Sequence, residues 1–61
     1  MVYFTFQGKF KKMYDIVACD FYPRDNCIVL YEAEGTRWIY FNVNSIKVTE
    51  DIVFNVHRED S

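Results

Sequence analysis

The chain has 61 residues, enough for one domain at most, and a domain of this size buries only about 60% of the surface that its unfolded chain exposes. Hydrophobic residues are 51% and aromatic residues 20% of the chain, which excludes the disordered and low-complexity classes. The formal net charge of -2 supplies no overall positive field for a polyanion. The composition predicts one small globular domain over residues 1–61 and disfavours duplex nucleic acid as a partner.

The two cysteines and the N-terminus bear on the compartment. Cys19 and Cys27 are eight apart with no CxxC pair, a spacing that matches neither a zinc site nor a redox motif, so two free buried thiols are favoured over a disulfide. Residues 1–6 lack a basic region and a sustained apolar run, so no signal peptide is expected, and no apolar run approaches the ~18 residues of a membrane span. Unpaired thiols agree with a reducing compartment. A cytoplasmic protein without a membrane segment is predicted.

Residues that favour strands dominate the chain, whereas Ala is found only at 18 and 33 and Leu only at 30. This composition predicts an all-β fold. The first strand is expected at 2–6, ended by Gln7-Gly8, where glycine can supply the positive φ of a turn. A second, longer strand is expected at 13–22.

The remaining elements follow from turn signals. Pro23-Arg24-Asp25-Asn26 predicts a turn, after which a strand is expected at 27–33. Glu34-Gly35 predicts a two-residue hairpin leading to a strand at 36–43, and residues 42–45 then break the pattern. The stretch 46–56 is interpreted as two short strands, with one strand or a short helical turn near 44–51 left open. The fold class is a small antiparallel sheet of four to six short strands, a meander or partly open barrel.

Residues 38–46, with the sequence Trp-Ile-Tyr-Phe-Asn-Val-Asn-Ser-Ile, combine an apolar strand, a short polar break and a second apolar strand. This resembles the general layout of SH3-like and Sm-like barrels. The resemblance implies a partly open SH3-like barrel, and because many unrelated small β proteins share the layout it carries no function and no site residue.

A two-residue turn at Glu34-Gly35 sets which residues face each other: Glu32 meets Arg37 and Tyr31 meets Trp38. An even turn at 23–26 then places Cys19 and Cys27 on opposite faces. One face joins Cys19 to the predicted core residues Val17, Phe21, Ile28, Leu30, Ile39 and Phe41. The other face joins Tyr14, Ile16, Ala18, Tyr22, Val29, Tyr31, Trp38 and Tyr40.

Both faces are therefore apolar, although an antiparallel sheet with one wet face should alternate apolar and polar residues. The second face is covered within the chain, by a second copy, or by a partner protein, since aromatic residues with a polar tip are enriched in interface hot spots. The predicted partner-binding residues are Tyr14, Tyr22, Tyr31, Arg37, Trp38 and Tyr40.

Residues that could carry catalysis are few. The one histidine, His57, lies in a polar tail and is expected to be solvated, and the serines are Ser45 and the terminal Ser61, so no triad is predicted. Gly8 and Gly35 are the only glycines, which leaves no phosphate loop, and no ligand cluster has metal spacing. No enzyme activity, cofactor or metal is expected.

Binding remains as the expected function. The favoured hypothesis is a non-catalytic protein-binding module, a small inhibitor or adaptor such as a phage or mobile-element protein that blocks a host nuclease, polymerase or CRISPR effector. A homodimer is compatible with it. The alternative is a small barrel that binds single-stranded nucleic acid, with bases stacked on aromatics and phosphates near the basic side chains of Lys9, Lys11, Lys12, Arg37 and Lys47.

Overall fold

The computed structural model describes residues 1–58, and this part of the chain contains seven strands and no helix. The all-β prediction is confirmed. The strands are β1 (Val2–Phe6), β2 (Lys9–Met13), β3 (Ile16–Tyr22), β4 (Cys27–Glu32), β5 (Arg37–Tyr40), β6 (Val43–Val48) and β7 (Val53–Val56).

The strands form two sheets that pack against each other. One sheet has the order β2-β1-β6 and the other has the order β5-β4-β3-β7, and of the described strand pairs only β3 and β7 run parallel. The buried cluster between the sheets draws side chains from both, which is how a small β domain removes apolar surface from water. Its members are Val2, Phe4, Ile16, Cys19, Ile28, Leu30, Val43 and Ile52.

The first hairpin confirms the predicted strand at Val2–Phe6 and adds one that was not predicted. Gln7 and Gly8 both have positive φ, 51° and 75°, as a tight two-residue turn requires, and Phe6 therefore pairs with Lys9. The lysine-rich residues 9–13 continue as β2. The predicted strand at 13–22 was wrong at its start, because the chain turns after Met13 and β3 begins at Ile16.

The turn predicted at residues 23–26 is confirmed. The Asp25 amide donates to the Tyr22 carbonyl at 3.1 Å, and Asn26 adopts a positive φ of 49°. Because the loop has an even number of residues, Cys19 pairs with Leu30 and Cys27 lies on the opposite face of the sheet. Both thiols are free and buried, as the sequence predicted.

The predicted register of the second hairpin was wrong by one residue. The loop contains three residues, 33–35, because the Glu32 amide donates to the Thr36 carbonyl at 2.9 Å and the Gly35 amide to the Glu32 carbonyl at 3.0 Å. Gly35, with φ 106°, supplies the backbone conformation that such a loop needs. Leu30 consequently pairs with Trp38 in place of Ile39. The predicted charge pair is also absent from the register, since Arg37 lies opposite Tyr31.

This one-residue shift moves every side chain of β5 to the other face of the sheet. Tyr40 now lies inside, with its ring centroid 5.1 Å from that of Phe4 and 5.0 Å from that of Phe6. Ile39 and Phe41, predicted to be core, are 49% and 57% exposed. The predictions for Ile28 and Leu30, both fully buried, are confirmed, and Phe21 packs half-buried against the core.

Two β-bulges interrupt the alternation of inward and outward side chains and so change which residues of β3 and β6 face the core. The register of β3 shifts between Ile16 and Ala18, so Ile16 is buried while Val17, predicted to be core, is 47% exposed. Opposite Phe4, β6 has one extra residue near Ser45, whose φ is 55°. Val43 and Val48 therefore pair with inward-facing residues of β1 although they are five positions apart.

The C-terminal half of the chain confirms the interpretation as two short strands. A turn with the Ile52 amide donating to the Thr49 carbonyl at 3.3 Å separates β6 from β7. The predicted break at 42–45 was wrong, because β6 already begins at Val43, and residues 44–51 contain no helical turn. Within residues 1–58 there is no helix of the length and hydropathy that crossing a membrane requires.

Candidate functional site

The outward side of the four-stranded sheet concentrates polar and aromatic side chains around one carboxylate, and we call it the Asp20 face. It is defined by the register, since its residues alternate with the buried Cys19, Ile28 and Leu30 and pair with one another across the strands. The members are Ala18, Asp20, Tyr22, Cys27, Val29, Tyr31, Arg37, Ile39, Val53, Asn55 and the adjoining His57.

Asp20 is the centre of a hydrogen-bond network that ties three strands together. The Tyr31 hydroxyl donates to Asp20 Oδ2 at 3.0 Å. The Asn55 amide donates to Oδ1 at 3.4 Å, and His57 Nε2 lies 3.0 Å from the same oxygen. Asp20 and Asn55 are direct partners in the parallel β3–β7 pair, so the network joins β4, β3 and the end of β7.

His57 is fixed from two further sides. Its ring stacks on Tyr22 with centroids 4.6 Å apart and an interplanar angle of 13°. Its backbone amide donates to the Phe21 carbonyl at 2.8 Å, which continues the parallel pairing beyond Val56. The expectation that His57 is solvated agrees with a side chain that is 45% exposed, and the structure adds the hydrogen bond and the stacking contact that hold it.

The hydrogen bonds of the network shift the pKa of both acidic partners. The hydrogen bond from His57, reinforced by those from Tyr31 and Asn55, holds the pKa of Asp20 below its ordinary value. The hydrogen bond to Asp20 raises the pKa of the Tyr31 phenol, which keeps that hydroxyl a donor. At neutral pH the pair is therefore an ionised acceptor and a protonated donor.

The lowered pKa of Asp20 predicts a pH-dependent contribution to stability. A carboxylate with a depressed folded-state pKa stabilises fully above the pKa of the unfolded chain, about 3.9, and the contribution is lost as pH falls through the folded pKa. We expect the free energy of unfolding of the wild type to exceed that of Asp20→Asn at pH 7, and the two to converge in acid. Urea unfolding of both proteins from pH 7 to about pH 2 measures this. Parallel pH profiles would contradict it, since all other carboxylates are common to both proteins.

The structure divides the predicted partner-binding residues among different surfaces. Tyr22, Tyr31 and Arg37 share the Asp20 face. Trp38 and Tyr40 lie on the inner side of β5, where the Trp38 indole is 42% exposed and donates to the Glu32 carboxylate. Tyr14 lies in the β2–β3 connection and is 59% exposed.

Several members of the Asp20 face were missed by sequence reasoning. Ile39 was assigned to the core by the wrong hairpin register, and Asp20 was assigned to neither face. Val53 and Asn55 lie on β7, whose parallel pairing with β3 links residues 35 positions apart. The one sequence signal that could have found the network is alternation, since Val53, Asn55 and His57 lie on one side of a strand.

The contacts of the Asp20 face hold side chains in place. No serine or cysteine among the described residues is hydrogen-bonded to His57. The same part of the chain contains no cluster of His, Cys, Asp and Glu side chains that could hold a metal ion. Burial raises the pKa of both thiols, that of Cys19 to about 11, which keeps them protonated.

Comparisons with protein-family models, with curated proteins and with solved structures found no match to this chain.

Proposed function

We propose that this chain is a non-catalytic protein-binding module whose Asp20 face docks on a partner protein. The observation that carries the proposal is that both tyrosines of the face are already held by contacts within the chain. Tyr31 is tied to Asp20 and Tyr22 is stacked on His57. Tyrosine is enriched among the residues that dominate binding energy at interfaces.

Holding these side chains before binding lowers the cost of association. A rotamer-rich side chain that becomes ordered at an interface costs roughly 0.5–1.5 kcal/mol, and this cost is reduced where the free protein has already ordered it. The Asp20 network orders Tyr31 and His57, and the stacked pair orders Tyr22. The face therefore offers a partner a surface on which Tyr22, Tyr31 and His57 need little further ordering.

Exposed aliphatic residues and one cation indicate the chemistry of the partner. Ile39 is 49% and Val53 is 61% exposed on the two edge strands that border the network. Arg37 lies directly opposite Tyr31 and forms no ion pair with another described residue. A complementary surface would place apolar side chains over Ile39 and Val53 and a carboxylate against Arg37.

A domain of this size acts by occupying a surface, so the proposed role is that of a small inhibitor or adaptor, including one of phage or mobile-element origin. Two buried, unpaired thiols suit a reducing compartment, and we propose the cytoplasm as the place of action. A second copy of the chain on the Asp20 face is a distinct outcome of the test below.

The experiment compares wild type with Ile39→Asp on the Asp20 face and with Phe10→Asp, which alters an exposed residue of the other sheet. Immobilised wild-type protein is used to capture binding proteins from a lysate of the cells that carry its gene. Each captured protein is purified, and its dissociation constant for wild type and for each variant is measured by titration calorimetry. We expect Ile39→Asp and Tyr31→Ala to weaken binding at least about ten-fold, the scale of a hot-spot loss, and Phe10→Asp to change it less than about two-fold.

Amide-resolved NMR spectra of each variant establish that the fold is retained. The proposal is overturned if the purified partner binds Ile39→Asp as tightly as wild type, or if wild type retains no protein that Ile39→Asp does not. Self-association would replace the proposal if sedimentation shows that wild type is a dimer, that the Ile39→Asp variant is a monomer, and that no captured protein displaces the second copy.

A further inference from the structure

The outward side of the three-stranded sheet carries a second surface, which we call the Tyr3 face. Side chains on this side alternate with the buried Val2 and Phe4, and the register pairs them across the three strands. Its members are Tyr3, Thr5, Phe10, Lys12, Asn44 and Lys47. We propose that the Tyr3 face binds single-stranded nucleic acid, with bases stacked on Phe10 and Tyr3 and phosphates held by Lys12 and Lys47.

Two aromatic rings form the stacking surface. The rings of Tyr3 and Phe10 are 5.9 Å apart with an interplanar angle of 20°, so they are close to parallel. Phe10 is 69% exposed, the largest exposed fraction among the large hydrophobic side chains of the described chain. Base stacking on exposed aromatic side chains of a sheet is the common mode of binding unpaired nucleotides.

Lysines flank Tyr3 on both sides. Lys12 on β2 and Lys47 on β6 are both cross-strand partners of Tyr3. Lys12 Nζ lies over the Tyr3 ring, 5.6 Å from its centroid, and over the Tyr14 ring at 5.8 Å, so cation–π contacts hold the ammonium at the aromatic surface. Neither lysine forms an ion pair with another described residue, so both are available to a phosphate.

No acidic residue among those that the structure describes lines the depression on the Tyr3 face. The depression on the Tyr3 face, about 400 Å³, is lined by Tyr3, Thr5, Phe10, Ser45 and Lys47, and none of these is acidic. Asp15, Glu32 and Glu34 line a separate depression beside the β4–β5 turn. The hydroxyls of Thr5 and Ser45 add donors and acceptors for a base edge. Among the described residues, Lys47 is therefore the one charged side chain in the lining of this depression, although the net charge of the chain is -2.

The geometry favours a single strand over a duplex. Two lysines on one face can neutralise few phosphates, whereas duplex binders use a broad basic stripe or an element that enters a groove. Stacking on Tyr3 and Phe10 requires a base that is not paired. Lys9, Lys11 and Arg37 were also predicted from the sequence to lie near the phosphates. In the structure Lys9 and Lys11 lie on the other side of β2, and Arg37 lies on the other sheet.

The test uses fluorescence anisotropy with a fluorescein-labelled oligothymidine of twelve nucleotides. We expect Phe10→Ala to weaken binding about 5- to 150-fold, as the loss of one base stack does. With two phosphates neutralised, the logarithm of the association constant should fall with the logarithm of salt concentration with a slope of about -1.4, and Lys47→Gln should reduce that slope by about 0.7.

Ile39→Asp, on the Asp20 face, is the matched control and should leave oligonucleotide binding unchanged, which separates this proposal from the proposed protein-binding function. The proposal is overturned if wild type does not bind the oligonucleotide at low salt, or if Phe10→Ala binds it as tightly as wild type. Equal affinity for a DNA duplex, for poly-glutamate or for anionic vesicles would overturn it as well, since each of these results would show that the surface binds negative charge without stacking on a base.

Discussion

Phe4→Ala should leave the protein largely unfolded at 25 °C, whereas Phe41→Ala should be folded and close to wild type in stability. Phe4 is fully buried at the centre of the cluster between the sheets and contacts Tyr40 of the opposite sheet. Removing a buried phenylalanine ring costs about 3–5 kcal/mol. A chain of this length has roughly 3–9 kcal/mol of total stability, so the loss removes most or all of it.

Phe41 provides the matched control because the same substitution is made at a side chain that is 57% exposed. Its expected cost is within about 0.5 kcal/mol, the range of surface substitutions. Urea unfolding followed by circular dichroism measures both. A large loss of stability for Phe41→Ala together with a small one for Phe4→Ala would show that the core lies on the face predicted from the two-residue hairpin.

Val43→Asp should also leave the protein largely unfolded. The extra residue of β6 near Ser45 allows Val43 and Val48, five positions apart, to face the core together, and Val43 is 2% exposed. Without this bulge, strict alternation back from Val48 would turn Val43 outward, where an aspartate costs little. An unpaired charge in the core and the loss of a buried valine belong to the mechanisms that cost several kcal/mol.

Asn44→Asp is the control, because the neighbouring Asn44 side chain is exposed on the outward side of β6, where it pairs with Thr5. Its cost should be within about 0.5 kcal/mol, the range of surface substitutions. Urea unfolding of both variants measures the difference. A stable Val43→Asp together with an unfolded Asn44→Asp would show that β6 alternates strictly back from Val48 without a bulge.

Local patterns predicted the elements of this fold well. The strand at Val2–Phe6, the turn at residues 23–26 and the division of residues 46–56 into two strands follow from β-branched and aromatic residues bounded by turn residues. β2 was missed because three of its five residues are lysines, which suit an exposed edge strand but do not form the apolar alternation by which strands are recognised.

Differences of one residue in a loop or strand limited the prediction of the side of the sheet on which each side chain lies. Whether the loop before Thr36 has two or three residues decides the side on which Trp38 and Tyr40 lie, and a glycine at position 35 suits either loop. The bulges at Val17 and Ser45 likewise reverse the alternation without a distinctive residue. Counting alternate residues along a strand assigns side chains to the wrong face after each such insertion.

Prediction of the candidate site depended on the same loop length and bulges, and on the strand pairing. Tyr22 and Tyr31 remain together because the turn at residues 23–26 has the predicted even length and no bulge lies between them. Arg37 joins them only because the three-residue loop places it opposite Tyr31. The network around Asp20 required the parallel pairing of β7 with β3, which joins segments far apart in sequence and has no local signal. The stacked pair of Tyr3 and Phe10 required β2 to be recognised as a strand.

The most direct test of this account is a set of side-chain nuclear Overhauser effects in the β4–β5 hairpin. We expect contacts from the Trp38 indole to the Leu30 methyl groups and from the Tyr40 ring to Ile28 and Phe4, because these residues pair or pack on the inner side. Contacts from Trp38 to the Tyr31 ring and from Tyr40 to the Val29 methyl groups would contradict it, and would return both aromatic residues to the outward face.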